Sequence, residues 1–377
     1  MSVRLFSPEA APSRQHGKAG SPLSWLLDGP AQLSAGPHAG AVAGRVDLSG
    51  NAAYVYPEIA GYYLQWLAWR ARTGVDPATL AVRASGVQRW LHVWLADRQP
   101  PRTRIHFDHA ADWRNRAVFC FDLAMVLRGL AGASRAGLIR DDLELVEKVN
   151  RNLELLIGPD GEFDACFLVD PGVHVAQRWS TCRGAFLAKA AAGVIAAARA
   201  FPGAIPARVE HAALATFAAS VDALLVAPHR EAHPLLYAFE GVFSLPGHPR
   251  LRAVLPDLAS RFNLLLASAD TDGRLPETLT SRAEQRGPAR VDVTAQALRA
   301  GCLLEAHCGA DTIDPDALVC LQRLLEGEVR PSGAVPFALG TPPTYWNTWA
   351  AMFADQALAF ARARGSEFDV LADPLLV

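Results

Sequence analysis

Apolar side chains recur along most of the chain at three- and four-residue steps, the spacing of one face of an α-helix. Six of these stretches are rich in glycine, alanine and bulky aromatic residues and carry few charges. They begin near Pro57, Phe119, Ser180, His233, Val291 and Trp346. The intervals between successive starts are 62, 61, 53, 58 and 55 residues. Spacing this even predicts a structural repeat.

A second helical stretch lies within each of the five intervals, and these stretches carry more charge. They cover residues 77–97, 138–157, 206–226, 249–268 and 315–326. Four of them begin with proline, which suits the first helical turn because its missing N–H has no partner there. The contrast in charge predicts an inner ring of apolar helices and an outer ring that faces water.

Glycine turns precede several of the inner stretches at a similar position in the repeat. Gly161 and Gly273 follow aspartate, Gly333 follows serine, and an apolar residue comes soon after each. Together with the helix spacing, these turns predict an all-α fold, an (α/α)6 toroid of about six helical hairpins. The alternatives are an irregular all-α domain and an open solenoid. The solenoid is disfavoured because the repeats barely resemble one another in sequence.

The repeat divides the chain into two unequal parts. Residues 49–377 are predicted to form a single toroid domain, and residues 1–48, rich in Pro, Gly, Ala and Ser, a partly ordered N-terminal arm. Hydrophobic residues make up 51% of the chain and charged residues 20%, which favours a large packed core over general disorder.

Charge and motifs exclude several classes of function. The 36 basic and 38 acidic residues leave a net charge of -2, which gives no global reason to expect nucleic acid or an anionic membrane as partner. The most apolar run, residues 190–198, is far shorter than the roughly 20 residues of a membrane span. The start of the chain has no apolar signal region, and the six cysteines never form CxxC. We expect a cytoplasmic protein without membrane insertion, metal or cofactor; the sequence does not indicate an oligomeric state.

A closed ring would bring the starts of all six inner helices to one mouth. The residues at these starts include carboxylates, aromatics and arginines, and departures of this kind from an apolar pattern tend to mark functional sites. His233, Tyr237 and Glu240 follow a four-then-three spacing and therefore project from one helix face. Burying the Glu240 carboxylate is costly unless it is paired or functional. A structural His–Glu pair is the alternative interpretation.

We therefore predict two groups of site residues at the mouth. The predicted catalytic residues are Glu58, Glu240, Asp292, His233 and Tyr237. The predicted substrate-binding residues are Tyr56, Tyr62, Arg116, Asp122, Trp179, Arg183, Trp346, Asn347 and Trp349. Aromatic rings at a polar mouth can stack on a sugar ring, while arginine, asparagine and carboxylates bind its hydroxyls. Core packing of the aromatics is the alternative, as is a helix-dipole role for the acids at helix starts.

The chain resembles the six-hairpin, (α/α)6-barrel carbohydrate-active enzymes over about residues 49–365. These enzymes include glycosidases, sugar 2-epimerases and uronate lyases. The segments beginning at Tyr56 (YPEIAGY), His233 (HPLLYAFEG) and Trp349 (WAAMFADQAL) are also similar to uncharacterised proteins of bacterial polysaccharide gene clusters. The resemblance implies an oligo- or polysaccharide substrate.

Within this resemblance we favour a glycoside hydrolase that acts on a bacterial glycan. Glu58 and Glu240, or Asp292, would act as acid and base, as paired carboxylates do in glycosidases. Arginines at the predicted mouth suit an acidic glycan. A uronate lyase, a sugar epimerase and a non-catalytic toroid that binds a glycan or a partner protein remain alternatives. The epimerases use two mouth histidines, whereas here the sixth inner helix begins with Trp346, which argues against that reaction.

Overall fold

The computed structural model describes residues 20–377 except 171, 173–174, 227–228, 246, 281–286 and 365–376. Within these residues, twelve α-helices alternate between an outer and an inner ring. The outer helices are α1 (Pro22–Asp28), α3 (Pro77–Asp97), α5 (Leu143–Glu154), α7 (Ala207–Val226), α9 (Pro249–Leu266) and α11 (Pro315–Glu328). The inner helices are α2 (Pro57–Arg72), α4 (Cys120–Arg135), α6 (Leu187–Ala200), α8 (Ala232–Phe243), α10 (Val291–Cys308) and α12 (Thr348–Arg362).

The inner ring is closed. Each inner helix packs against the next inner helix along the chain, and α12 packs against α2. Helix α1 packs against α12 and is tied to α2 by the Tyr63 hydroxyl, which donates to the carbonyl of Leu26 at 2.9 Å. This architecture confirms the predicted all-α (α/α)6 toroid.

Two inner helices begin later than their apolar patterns predicted. Near Ser180 the chain forms only a short 3-10 turn, Trp179–Thr181, and α6 begins at Leu187. The sixth helix begins at Thr348 rather than Trp346, because the Asn347 side chain caps it by accepting from the Ala350 N–H at 2.9 Å.

In the described part of the chain, two small antiparallel sheets accompany the helices. One has the strand order β3-β2-β1-β6, formed by β1 (Ala43–Asp47), β2 (Ala52–Val55), β3 (Ile105–His106) and β6 (Tyr345–Asn347). The other pairs β4 (Ala117–Phe119) with β5 (Cys166–Leu168). Strands β2, β4 and β6 lead into inner helices α2, α4 and α12. The sheets therefore lie at the end of the ring where the inner helices begin.

The segment predicted as an arm, residues 1–48, is only partly within the described chain. Residues 1–19 lie outside it. Of the remainder, Trp25 and Leu26 in α1 are buried, and β1 pairs with both β2 and β6. Residues 20–48 thus contribute one outer helix and one central strand to the toroid.

Helices α2 and α4 approach closely because two glycines face each other. A Cβ atom on Gly129 would lie 2.4 Å from the carbonyl oxygen of Gly61, and one on Gly61 would lie 2.3 Å from the carbonyl oxygen of Met125. A side chain at either position would force the two backbones apart. The contact fixes the relative height of the two helix starts, which carry Glu58 and Asp122.

We expect Gly129→Ala to destabilise the protein by about 1–3 kcal/mol, the usual cost of overpacking a tight core. The matched control is Gly327→Ala, because Gly327 lies in α11 with open space where a Cβ would be added. This control should be neutral or stabilising by about 0.5–1 kcal/mol. Urea unfolding of both variants measures the difference. Equal stability of the two would show that α2 and α4 do not need the glycine contact.

By length and composition, α7 is the one described helix that could cross a membrane. It packs against α5, α6, α8 and α9, and Val209, Phe217 and Val221 are buried in these contacts. Much of its apolar character therefore belongs to the face that packs within the toroid.

Candidate functional site

A cavity of about 500 Å³ lies at the mouth of the inner ring. Among the described residues, five arginines line it, Arg45, Arg104, Arg114, Arg178 and Arg290, together with the carboxyls of Glu58 and Glu277. The other lining residues are Tyr54, Tyr56, Ile59, His106, Trp113, Trp179, Ser180, His233, Tyr237, Phe337, Tyr345 and Trp349. Positive charge and aromatic faces thus dominate the wall.

Glu58 lies in the second position of α2 and is partly exposed to this cavity. Burial raises the pKa of Glu58, although hydrogen bonding to Tyr56 opposes the shift. The Tyr56 hydroxyl donates to Asp122 Oδ1 at 3.0 Å. Burial and the charge of Glu58 together raise the pKa of Asp122 well above its ordinary value. Burial therefore favours the protonated form of both carboxyls.

Both carboxyls also line a small adjoining cavity of about 50 Å³. Asp122 Oδ2 is buried there without a hydrogen-bond partner among the described residues. The space is sufficient for one water molecule, whose share of liquid volume is about 30 Å³. The pair can therefore bind water or a substrate hydroxyl next to the main cavity.

His233 lies at the start of α8, directly across the six-helix ring from α2. Its ring packs against Tyr237 at 4.2 Å and Trp179 at 5.8 Å between centroids. Burial and the charge of Arg290 lower the pKa of His233 to about 4. The imidazole is therefore neutral near pH 7 and can accept a proton.

Glu240 lies below the cavity rather than on its wall. It is 1% exposed, accepts from Lys189 Nζ at 2.7 Å and forms an ion pair with Arg299. Burial alone would raise the pKa of Glu240, but Arg299 and Lys189 outweigh it and hold that pKa below its ordinary value. Its position follows from helix geometry, because Glu240 comes seven residues after His233 in the same helix and therefore lies about 10 Å further along the helix axis. Tyr62 is likewise buried one turn below Glu58.

Asp292 is also buried and ion-paired. Arg290 donates to its Oδ1 and Oδ2 atoms at 3.0 and 2.6 Å, and the Trp349 indole N–H donates to Oδ2 at 3.0 Å. Burial would raise the pKa of Asp292, but the Arg290 charge lowers it to about 2. Asp292 therefore holds the arginine and tryptophan of the cavity wall in place.

Six of the nine predicted substrate-binding residues are not on the wall of the main cavity. Tyr62 is buried, Asp122 lines the small adjoining cavity, and the other four lie elsewhere. Arg116 is exposed outside the main cavity, and Arg114 faces the cavity instead. Arg183 lies in a neighbouring groove of about 610 Å³, ion-paired with Asp160 and Asp164. Trp346 and Asn347 belong to β6, where Trp346 points opposite to Tyr345 and Asn347 is a helix cap.

Thirteen of the nineteen described residues of the cavity wall were not among the predicted catalytic or substrate-binding residues. They include Arg45, Ile59, Arg104, His106 and Phe337. Arg45 and His106 both lie opposite Tyr54 in the sheet, on β1 and β3. Long-range strand pairing brings them to the mouth, and the helix periodicity contains no signal for it.

Among the residues that the structure describes, no group of three His, Cys, Asp or Glu side chains could hold a metal ion. The six cysteines are free thiols, and Cys302 and Cys308 lie on α10 at some distance along the chain from its start at the mouth.

The sequence matches no protein-family model and no curated protein. Solved structures do match. A cellobiose 2-epimerase from Spirochaeta thermophila superposes with a TM-score of 0.60 at 15% identity, covering 90% of this chain and 96% of that chain. An unsaturated glucuronyl hydrolase specific for heparin superposes with a TM-score of 0.63 at 12% identity, covering 92% of this chain and 96% of that chain. A sugar epimerase from a ruminal bacterium superposes with a TM-score of 0.63 at 9% identity, covering 91% of this chain and 97% of that chain. The chain thus has the fold of the (α/α)6-barrel carbohydrate-active enzymes, as its sequence resemblance implied.

Proposed function

We propose that the protein is a glycoside hydrolase that acts on an acidic oligo- or polysaccharide. One observation carries the proposal: Glu58, with a raised pKa, faces neutral His233 across an arginine-lined cavity of about 500 Å³. A carboxylic acid and a base on opposite sides of a sugar are the two groups that inverting hydrolysis needs.

In this mechanism Glu58 donates its proton to the glycosidic oxygen as the bond from that oxygen to the anomeric carbon breaks. His233 accepts a proton from a water molecule on the opposite face, and the water oxygen bonds to the anomeric carbon. Since acid and base lie on opposite sides of the ring, the anomeric configuration inverts. Trp179 and Trp349 provide faces on which the sugar can stack.

Two arginines of the wall support an acidic substrate. Arg45 lies over the Tyr345 ring and Arg178 over the Trp113 ring, with the guanidinium carbon 4.8 and 5.3 Å from the ring centroids. In the described part of the chain neither forms an ion pair with a carboxylate. Both are exposed at the rim, so their bidentate donors are available to a carboxylate or sulfate group of a glycan.

A sugar epimerase is the second candidate, because neutral His233 could also remove a proton from a carbon next to a carbonyl. Glu58 would then protonate the opposite face of the same carbon. The acid–base pair is shared by the two reactions, so the products have to distinguish them.

We also propose, as the sequence predicted, that the protein is bacterial and lies in the cytoplasm.

Incubation with neutral and uronate-containing oligosaccharides in D₂O, followed by proton NMR, tests both reactions. We expect new reducing ends of inverted anomeric configuration, no deuterium at C2, and faster turnover of the uronate-containing substrates. Deuterium at C2 without chain shortening would favour the epimerase. Binding of a glycan without either change would leave a non-catalytic toroid.

A further inference from the structure

Gln296 connects the buried floor of the toroid with the cavity wall. It lies in α10, fully buried, between Glu240 and His233. Its Nε2 atom donates to Glu240 Oε2 at 3.2 Å, and its Oε1 atom lies 2.7 Å from His233 Nδ1. Three helices thus contribute to one hydrogen-bonded chain: α6 through Lys189, α8 through His233 and Glu240, and α10 through Gln296 and Arg299.

Glu240 determines which atoms donate and which accept along this series of hydrogen bonds. An ionised carboxylate only accepts hydrogen bonds, and Lys189 and Arg299 keep Glu240 ionised. The amide nitrogen of Gln296 must therefore face Glu240, since the reversed amide would place two acceptor oxygens together. The amide oxygen then faces His233, and an acceptor oxygen at 2.7 Å requires a hydrogen on Nδ1.

The environment of the His233 ring agrees with these donor and acceptor roles. Asp292 Oδ2 lies 3.9 Å from Nδ1, so a second acceptor also favours a hydrogen on that atom. Within the described residues no protein group forms a hydrogen bond with His233 Nε2, and the ring lines the cavity. A neutral imidazole with a hydrogen on Nδ1 has its lone pair on Nε2.

We infer that Gln296, oriented by Glu240, is a positioning residue that holds His233 in the Nδ1-protonated tautomer and makes Nε2 the basic atom of the cavity. Glu240 thereby acts on the site through two hydrogen bonds rather than by contact with a substrate. The use of that base in catalysis rests on the proposed function, whereas the tautomer itself is a property of the free protein.

Nitrogen-15 NMR of histidine-labelled protein at pH 7 tests the tautomer directly, with His233→Asn used to assign the signals. In the wild type we expect a protonated Nδ1 and an unprotonated Nε2. Gln296→Met keeps the length of the side chain but removes its acceptor, so the Nε2-protonated form should become populated. In that variant kcat should fall about tenfold, by analogy with the loss on removing the hydrogen-bond partner of a metal-binding histidine, while KM changes less than twofold.

Gln296→Glu provides the conservative test, because it restores an acceptor oxygen opposite Nδ1. The Nδ1-protonated form should be retained, because the introduced carboxyl, protonated on the oxygen that faces ionised Glu240, still presents an acceptor oxygen to Nδ1. The other charged or titratable groups around the ring are Arg290, Asp292, Glu240 and Tyr237, and all of them are unchanged in this variant.

Two results would overturn the inference: an Nε2-protonated His233 in the wild type, or a Gln296→Met variant with the wild-type tautomer. Should Gln296→Met fail to fold, the wild-type and Gln296→Glu spectra decide the question. If the spectra are as expected and no glycan is turned over, the inference about Gln296 stands and the proposed hydrolase fails.

Discussion

Glu58→Gln is expected to lower kcat by about 10³-fold while the protein stays folded. Glutamine keeps the shape of the side chain but cannot donate a proton to the glycosidic oxygen. The fold should tolerate the change, since burial already disfavours the ionised form of Glu58 and the amide carries no charge. The measurement combines turnover of a uronate-containing oligosaccharide with thermal unfolding of the same preparation.

Glu277→Gln is the matched control, because Glu277 also lines the cavity but is half-exposed and pairs with Arg290 at 3.2 Å. Its kcat should change less than tenfold. Activity within tenfold of wild type in Glu58→Gln would remove Glu58 from the role of proton donor.

The pH profile is a second measurement on the same variant. Wild-type activity should fall at low pH as His233 protonates, with a pKa of about 4, and at high pH as the Glu58–Asp122 pair loses its proton. The residual activity of Glu58→Gln should no longer fall at high pH.

Glu240→Gln should have the largest effect on stability, a loss of about 3–5 kcal/mol. The substitution would leave Lys189 and Arg299, both fully buried, without a side-chain carboxylate among the described residues. Arg128 lies near the same cluster and adds positive charge, and burial lowers its pKa to about 10. Urea unfolding at pH 7 measures the loss.

Glu305→Gln is the control for this variant, because Glu305 is also in α10 but forms a more exposed pair with Arg364. Its loss should not exceed about 1 kcal/mol. A similarly small loss in Glu240→Gln would mean that the buried cations do not need this carboxylate. Lost activity in Glu240→Gln alone would not identify a catalytic residue, since both the fold and the orientation of Gln296 depend on Glu240.

The ring was predictable because its signal is periodic. The spacing of the inner stretches and the prolines that begin outer helices identify eleven of the twelve described helices, and a closed ring then follows from the six inner ones. The twelfth helix, α1, lies in the segment predicted as an arm. The starts of α6 and α12 were predicted too early. Trp179 and Trp346 continue the apolar pattern, but a 3-10 turn and a strand take these residues.

The site was predictable in composition and less so in depth. Periodicity gives the face of a helix on which a side chain lies, so His233 and Tyr237 reach the cavity as expected. Periodicity does not predict how deep the cavity extends along the helix. Tyr237 lines the cavity, whereas Glu240, on the same helix face, is buried below its floor. Nor does periodicity predict strand pairing, which brings Arg45 and His106 to the wall and turns Trp346 away from it.

The closure of the ring has a consequence for how the chain folds during synthesis. The first strand, β1, pairs with β6, and α2 and α1 both pack against α12, so the earliest elements of the toroid need partners that are translated about 300 residues later. Contacts this distant in sequence form late and slow. Until β6 and α12 emerge, the edge of β1 and one side of α2 have no partner among the described residues. We therefore expect nascent chains that end before α12 to expose apolar surface and to depend on chaperones until the last hairpin arrives.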